Sequence, residues 1–192
     1  MTMTSRPDQP APPSLGLIEL SSICRGIETA DRMLKAAQVS LVLSRTICSG
    51  KYLVLVAGEV HDVQASVEAG LDLARECVVD SFVIPDVHPD VFPALTSTGV
   101  LTRREALGVL EAFSVAALVE AMDRVAKAAP VELVECRLAM ALGGKAFLVF
   151  TGDVDAVKAS VAAGVEVIAG RGLLVNQTVI PNPREELFST LI

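Results

Sequence analysis

The chain has 192 residues, 52% of them hydrophobic and 20% charged, which is enough apolar surface for one large or two small cores and too much for a disordered chain. Its net charge of −7, an isoelectric point near 4.8 and the lack of any basic stripe exclude nucleic acid and anionic membranes as expected partners, since both require concentrated Lys and Arg. Six Phe, one Tyr and no Trp leave Val, Leu, Ile and Ala to fill the interior.

Residues 1–13 are polar and Pro-rich, without the apolar centre of a secretory signal, and are expected to form an unfolded tail. A short apolar strand follows at residues 15–20. Over residues 26–37, Ile27, Ala30, Met33, Leu34 and Ala37 recur at helical spacing, with Asp31 and Lys35 forming an i,i+4 pair. Residues 39–47 and 52–57 read as two strands of a hairpin whose turn is Cys48-Ser49-Gly50-Lys51. The stretch 39–58 is the most apolar of the chain, but Arg45 and Lys51 interrupt it well short of the roughly 18 apolar residues of a membrane helix, so a soluble protein is expected. An amphipathic helix over 63–77, a β-branched strand over 78–84 stopped by Pro85, and a short terminal helix complete a β-α-β-β-α-β unit.

That unit then repeats. Ser14-Leu-Gly-Leu-Ile-Glu-Leu20 returns as Ala106-Leu-Gly-Val-Leu-Glu-Ala112, a shift of 92 residues, and Asp31-x-x-x-Lys35-Ala-Ala-x-Val39 returns as Asp123-x-x-x-Lys127-Ala-Ala-x-Val131. From Gly50-Lys51 against Gly144-Lys145 the shift becomes 94, so the second copy carries two extra residues just before this point. The match continues through Gly58-Glu59-Val60 against Gly152-Asp153-Val154 and closes at Ile84-Pro85 against Ile180-Pro181. Two homologous α+β domains of the ferredoxin-like class are therefore expected, at 14–95 and 106–192, joined by a linker at 96–105.

The repeated Leu-Gly-x-x-Glu, Asp-x-x-x-Lys-Ala-Ala-x-Val, Gly-Lys and Gly-[Asp/Glu]-Val motifs resemble the bacterial microcompartment (BMC) shell domain, and two fused copies resemble its tandem class, in particular the iron–sulfur tandem shell proteins of propanediol-utilising compartments. The resemblance covers nearly everything after the tail. It implies a homotrimer that imitates a hexamer, set in a microcompartment shell within the bacterial cytoplasm, structural rather than enzymatic, with other shell proteins and encapsulated redox enzymes as partners. It further implies a central pore lined by Ile47, Ser49 and Gly50 of the first hairpin and Ala141, Leu142, Gly143 and Gly144 of the second, with Cys48 of each chain holding one 4Fe–4S cluster for electron or cluster transfer across the shell. Family members have Pro after this cysteine where this chain has Ser49.

One thiolate per chain cannot bind a cluster, but threefold symmetry multiplies it into three ligands, so the absence of CxxC spacing is no objection. Arg45 and Lys51 flank Cys48 and would favour its thiolate. A free surface thiol and a cluster-free metabolite pore remain open for the same loop. Cys24, Cys77 and Cys136 are expected to be buried small residues, and His61 and His88 ordinary surface residues. The resemblance assigns Lys35 and Lys127 to tile edges, against their simpler reading as helix-stabilising ion pairs. A thiol enzyme would need a base such as His61 beside Cys48, which no motif supplies; a ligand-sensing trimer of the same fold class is the remaining alternative. Gly143-Gly144 lacks the spacing of a nucleotide loop and reads as a close-packed turn.

Overall fold

The computed structural model describes residues 13–189 and residue 191; all but the last residue of the expected tail lies outside them. In the first domain, β1 (Ser14–Leu20), β2 (Ser40–Ile47), β3 (Lys51–Gly58) and β4 (Val78–Ile84) form an antiparallel sheet in the order β2-β3-β1-β4, and α1 (Ile23–Ala36) and α2 (Val60–Ala74) cover one face of it. A short helix α3 (Val91–Thr96) leads to the second domain. There β5 (Ala106–Ala112), β6 (Glu132–Leu138), β7 (Ala146–Gly152) and β8 (Leu174–Ile180) repeat the order as β6-β7-β5-β8, with α4 (Val115–Ala128), α5 (Val154–Gly170) and a terminal turn of helix, α6 (Glu185–Phe188). This is the expected α+β arrangement, twice.

Helix α1 starts at Ile23, three residues ahead of the periodic stretch, because the Ser22 hydroxyl accepts the Arg25 amide and caps it. Ser114 caps α4 through Ala117 in the same way. Helix α2 ends at Ala74, and residues 75–77 tighten into a 3-10 turn with Arg75 at φ +44°, so the sequence expectation overran its end by three residues. Small residues let helices sit close to each sheet: a Cβ on Gly70 would run into Ile18 and Met33, and one on Gly164 into Leu110 and Val125. The Ser66 hydroxyl donates to the Met33 carbonyl and the Ser160 hydroxyl to the Val125 carbonyl, both at 3.0 Å, tying each helix pair together.

Alternation along β1 and β3 sends Gly16, Ile18, Leu20, Val54 and Val56 toward α1 and α2, and Leu15, Leu17, Leu53 and Leu55 toward the opposite face. That opposite face is covered by the other domain, because α4 lies between it and the helix-facing side of its own sheet. Ten of the fourteen residues of α4 are consequently buried, against four of fourteen in α1. Polar contacts fix the same junction. The His88 amide donates to Asp123 Oδ1 at 2.8 Å, and Arg171 reaches both Asp80 of the first domain and Glu120 of the second.

Gly164→Ala should overpack the contact with Leu110 and Val125 and destabilise the protein by about 1–3 kcal/mol; urea denaturation of the variant against the parent chain measures it, and unchanged stability would mean that α5 shifts freely.

Candidate functional site

The first hairpin pairs Ile47 with Lys51, leaving a three-residue turn of Cys48, Ser49 and Gly50, with Gly50 at φ +73°. The second pairs Leu138 with Ala146 and leaves a seven-residue loop, residues 139–145. The two extra residues of the second repeat fall in this loop. Four of its residues have positive φ: Ala139 (+50°), Ala141 (+58°), Gly143 (+61°) and Gly144 (+87°). Left-handed backbone is available to glycine without penalty but costs an alanine about 1–2 kcal/mol, so surrounding contacts must hold Ala139 and Ala141 there.

Those contacts come from the first hairpin. The Cys48 amide donates to the Ala139 carbonyl at 2.8 Å, and the Ala141 amide donates to Cys48 Sγ at 3.3 Å. The structure therefore gathers Cys48 with residues of the second hairpin across 93 positions of sequence. Ser49, Gly50, Ala141 and Gly143 are exposed, while Leu142 and Gly144 are half-buried. Ile47 departs from its expected place: it is 4% exposed and packs in the core, because the pleat at the last residue of β2 turns it inward.

The base of each hairpin is clamped to the neighbouring strand by an ion pair, Lys51 to Glu19 at 2.7 Å and Lys145 to Glu111. The sequence reading missed these pairs, although the signal was present: Glu of Leu-Gly-x-x-Glu and Lys of Gly-Lys occur together in both repeats. They also correct the picture of a thiol flanked by free cations. Lys51 is committed to the buried Glu19 carboxylate, and Arg45 lies near Cys136, its Nε buried without a hydrogen-bond partner among the described residues. The donor that reaches the Cys48 sulfur is a backbone amide.

The other cysteines divide. Cys136 is buried as expected, and burial pushes its thiol up to about 12, against a pull downward from Arg45 and a further push from Glu135. Cys24 is exposed and Cys77 half-buried, contrary to expectation, because the first lies on the uncovered first turn of α1 and the second in the 3-10 turn at the sheet edge. His61 is exposed beside Asp62, and His88 is half-buried with its amide committed to Asp123. Neither has Cys48 as a partner.

Lys35 and Lys127 both pair with the aspartate one turn earlier, at 2.6 and 2.7 Å. The two pairs differ in surroundings, since the Asp31 side chain is 62% exposed and that of Asp123 6%. Lys127 also lines an open cavity of about 560 Å³ with Arg124, Ala128, Ala163, Glu166 and Val167.

Among the described residues of one chain, no three His, Cys, Asp or Glu side chains gather to hold a metal ion. A 4Fe–4S cluster would thus need Cys48 from several chains. The donor chemistry fits it: a half-buried loop thiol, with an N–H already directed at the sulfur, is a soft ligand suited to iron–sulfur binding.

The chain is a tandem of two four-stranded antiparallel domains whose hairpin loops contact each other. Residues 14–87 and 106–183 each match the model of the BMC domain, and the chain belongs to that family. It is 41% identical over 179 residues to the bacterial microcompartment shell protein PduT of Citrobacter freundii, covering 93% of this chain and 97% of that one. It is similar to a microcompartment protein of Desulfitobacterium hafniense DCB known from a crystal structure, with a TM-score of 0.88, 50% identity, and coverage of 92% and 98%. The fused permuted hexameric shell protein MSM0275 of the RMM microcompartment shares the fold, with a TM-score of 0.61, 21% identity, and coverage of 82% and 84%. The chain is a structural protein of the microcompartment shell. No helix among the described residues is long and apolar enough to cross a membrane.

With its thiol near 12 rather than 9.0, Cys136 should hold about a thousandfold less thiolate at pH 8. Iodoacetamide should accordingly spare it in the native protein and label it readily in urea, as read by peptide mass spectrometry; equal labelling in both states would contradict the burial.

Proposed function

We propose that three copies close into a ring of six similar domains, a shell tile, and that Cys48 of each copy holds one 4Fe–4S cluster at the axis. The observation that carries the ring is the unequal covering of α1 and α4. Val115, Val119 and Ala126 are buried against the first domain, and their counterparts Ile23, Ile27 and Leu34 are exposed, Ile27 by 57%. On the second sheet, Val109 and Phe147, the counterparts of Leu17 and Leu53, are only partly buried. The junction inside the chain thus has a complementary half at each end of the molecule. A second copy fits both halves by the same packing, and Asp31 is then placed to accept the Arg184 amide of its neighbour as Asp123 accepts that of His88.

The two hairpins join consecutive domains backbone to backbone, and the ring is drawn with them at its axis. Three Cys48 sulfurs then converge, leaving one iron without a protein ligand. The cluster supplies reversible one-electron chemistry when bound. The chain's contribution is to bring the thiols to the axis, to direct an amide at each, and to seal the surrounding loops. Gly50 and Gly143 have open space where a Cβ would stand, which leaves the loops room to meet their symmetry copies. Electron transfer across the shell, with redox enzymes of the interior as partners, follows from a cluster set in the tile. Lys35 and Lys127, on the outer ends of α1 and α4, are assigned to contacts with other shell proteins.

Anaerobically purified protein should carry about four irons per trimer and an electron paramagnetic resonance signal on reduction, both lost in Cys48→Ala with the trimer intact. An iron-free trimer would reduce the loop to a plain metabolite pore. Separately, Ile27→Asp should place a charge in the junction between copies, and light scattering should then find monomers where the parent chain is trimeric. Cys24, whose counterpart Ala116 is fully buried, serves as a reporter: alkylation should be slow in the assembled ring and fast in Ile27→Asp.

A further inference from the structure

Resting on the reading of Cys48 as a cluster ligand, we infer that the second domain's hairpin loop is built to tune that cluster, the Ala141 amide acting as a hydrogen-bond donor to the ligating sulfur. The geometry is specific. The Ala141 N–H meets Cys48 Sγ at 3.3 Å, within the reach of an N–H···S hydrogen bond, and the Cys48 N–H returns the contact to the Ala139 carbonyl at 2.8 Å. This pair of bonds fixes both the backbone and the sulfur of residue 48 from a segment 91 to 93 residues away.

Reaching that position demands left-handed backbone at two alanines, Ala139 and Ala141, in a loop that also spends two glycines at positive φ. A loop that merely connected β6 to β7 would not need it, since the first hairpin makes the same connection with three residues. The extra length and the strained alanines instead bring an amide onto the sulfur. Ala141 is therefore a positioning and tuning residue acting through its backbone. Hydrogen bonds to cluster sulfurs stabilise the more negative, reduced state and so raise the reduction potential.

The test replaces the amide of Ala141 by an ester, which removes the N–H with little change of shape, and uses Ala141→Gly as the control that keeps the amide and tolerates the same φ. Both are titrated as trimers with dithionite, one electron entering each cluster, under electron paramagnetic resonance. The ester should lower the midpoint by a tenfold change in the one-electron equilibrium constant, about 59 mV, and shift the Fe–S stretches in resonance Raman spectra, while Ala141→Gly leaves both in place. A fully loaded ester trimer with unaltered midpoint and stretches overturns the inference. Because the ester could weaken the loop, the unsubstituted trimer supplies a second readout: the Ala141 amide proton should show a large hyperfine shift in the reduced protein, and its absence also overturns the inference. Failure of the cluster reading itself is recognised differently, by the absence of iron from the parent chain.

Discussion

The constraint on which the rest of the structure depends is that each sheet is apolar on both faces and the two long helices of each domain cover only one. In the first domain the spare face is Leu15, Leu17, Leu53 and Leu55, and the chain covers it with α4 of the second domain. Burying a leucine side chain is worth about 1.5–3 kcal/mol, so four such residues make this junction a main source of stability rather than a loose linker contact. The same need is only partly met on the second sheet, where Phe188 of α6 closes over Leu107 and Val149 while Val109 and Phe147 stay half-covered. In the proposed ring, assembly is thus the continuation of folding by the same contact.

Duplication in one chain changes what the hairpins can do. In a ring of identical single domains every hairpin must be the same, whereas here the two are free to diverge while the clamps Glu19–Lys51 and Glu111–Lys145 keep their bases in one geometry. The short hairpin carries a thiol on a tight turn. The long one carries no cysteine, two strained alanines and two glycines, and it folds over the short one. The clamps act on the strands and leave the loops to vary, which separates the architecture of the tile from its chemistry.

The fold was legible because the two repeats report on each other. Apolar alternation in β1 and helical spacing in α1 are individually short signals, but their return at a fixed shift makes each a confirmation of the other. Cys48 stood out by its turn position. What the residues did not disclose was the contact between hairpins, since nothing in Ala139 or Ala141 advertises left-handed backbone; alanine there is a consequence of tertiary placement rather than of local preference. The charges around Cys48 were misread for a related reason: sequence neighbours of a β-turn alternate faces and find partners across the sheet, so Lys51 serves Glu19, and Arg45 turns toward Cys136. Ile47 was misplaced by the same alternation.

The stoichiometry of the proposed centre follows from the divergence. The repeat counterpart of Cys48 is Met140, an exposed side chain that adds no thiolate. Six cysteines around one axis would bring six mutually repelling thiolates together and saturate every iron of a four-iron cluster, leaving nothing open. In the proposed centre three thiolates, each accepting a hydrogen bond from an amide of the other hairpin, would match three irons and leave the fourth able to bind water or a small ligand. A chain that supplies the thiol from one repeat and the amide from the other would therefore obtain from duplication a ligand count that a symmetric six-membered ring could not provide.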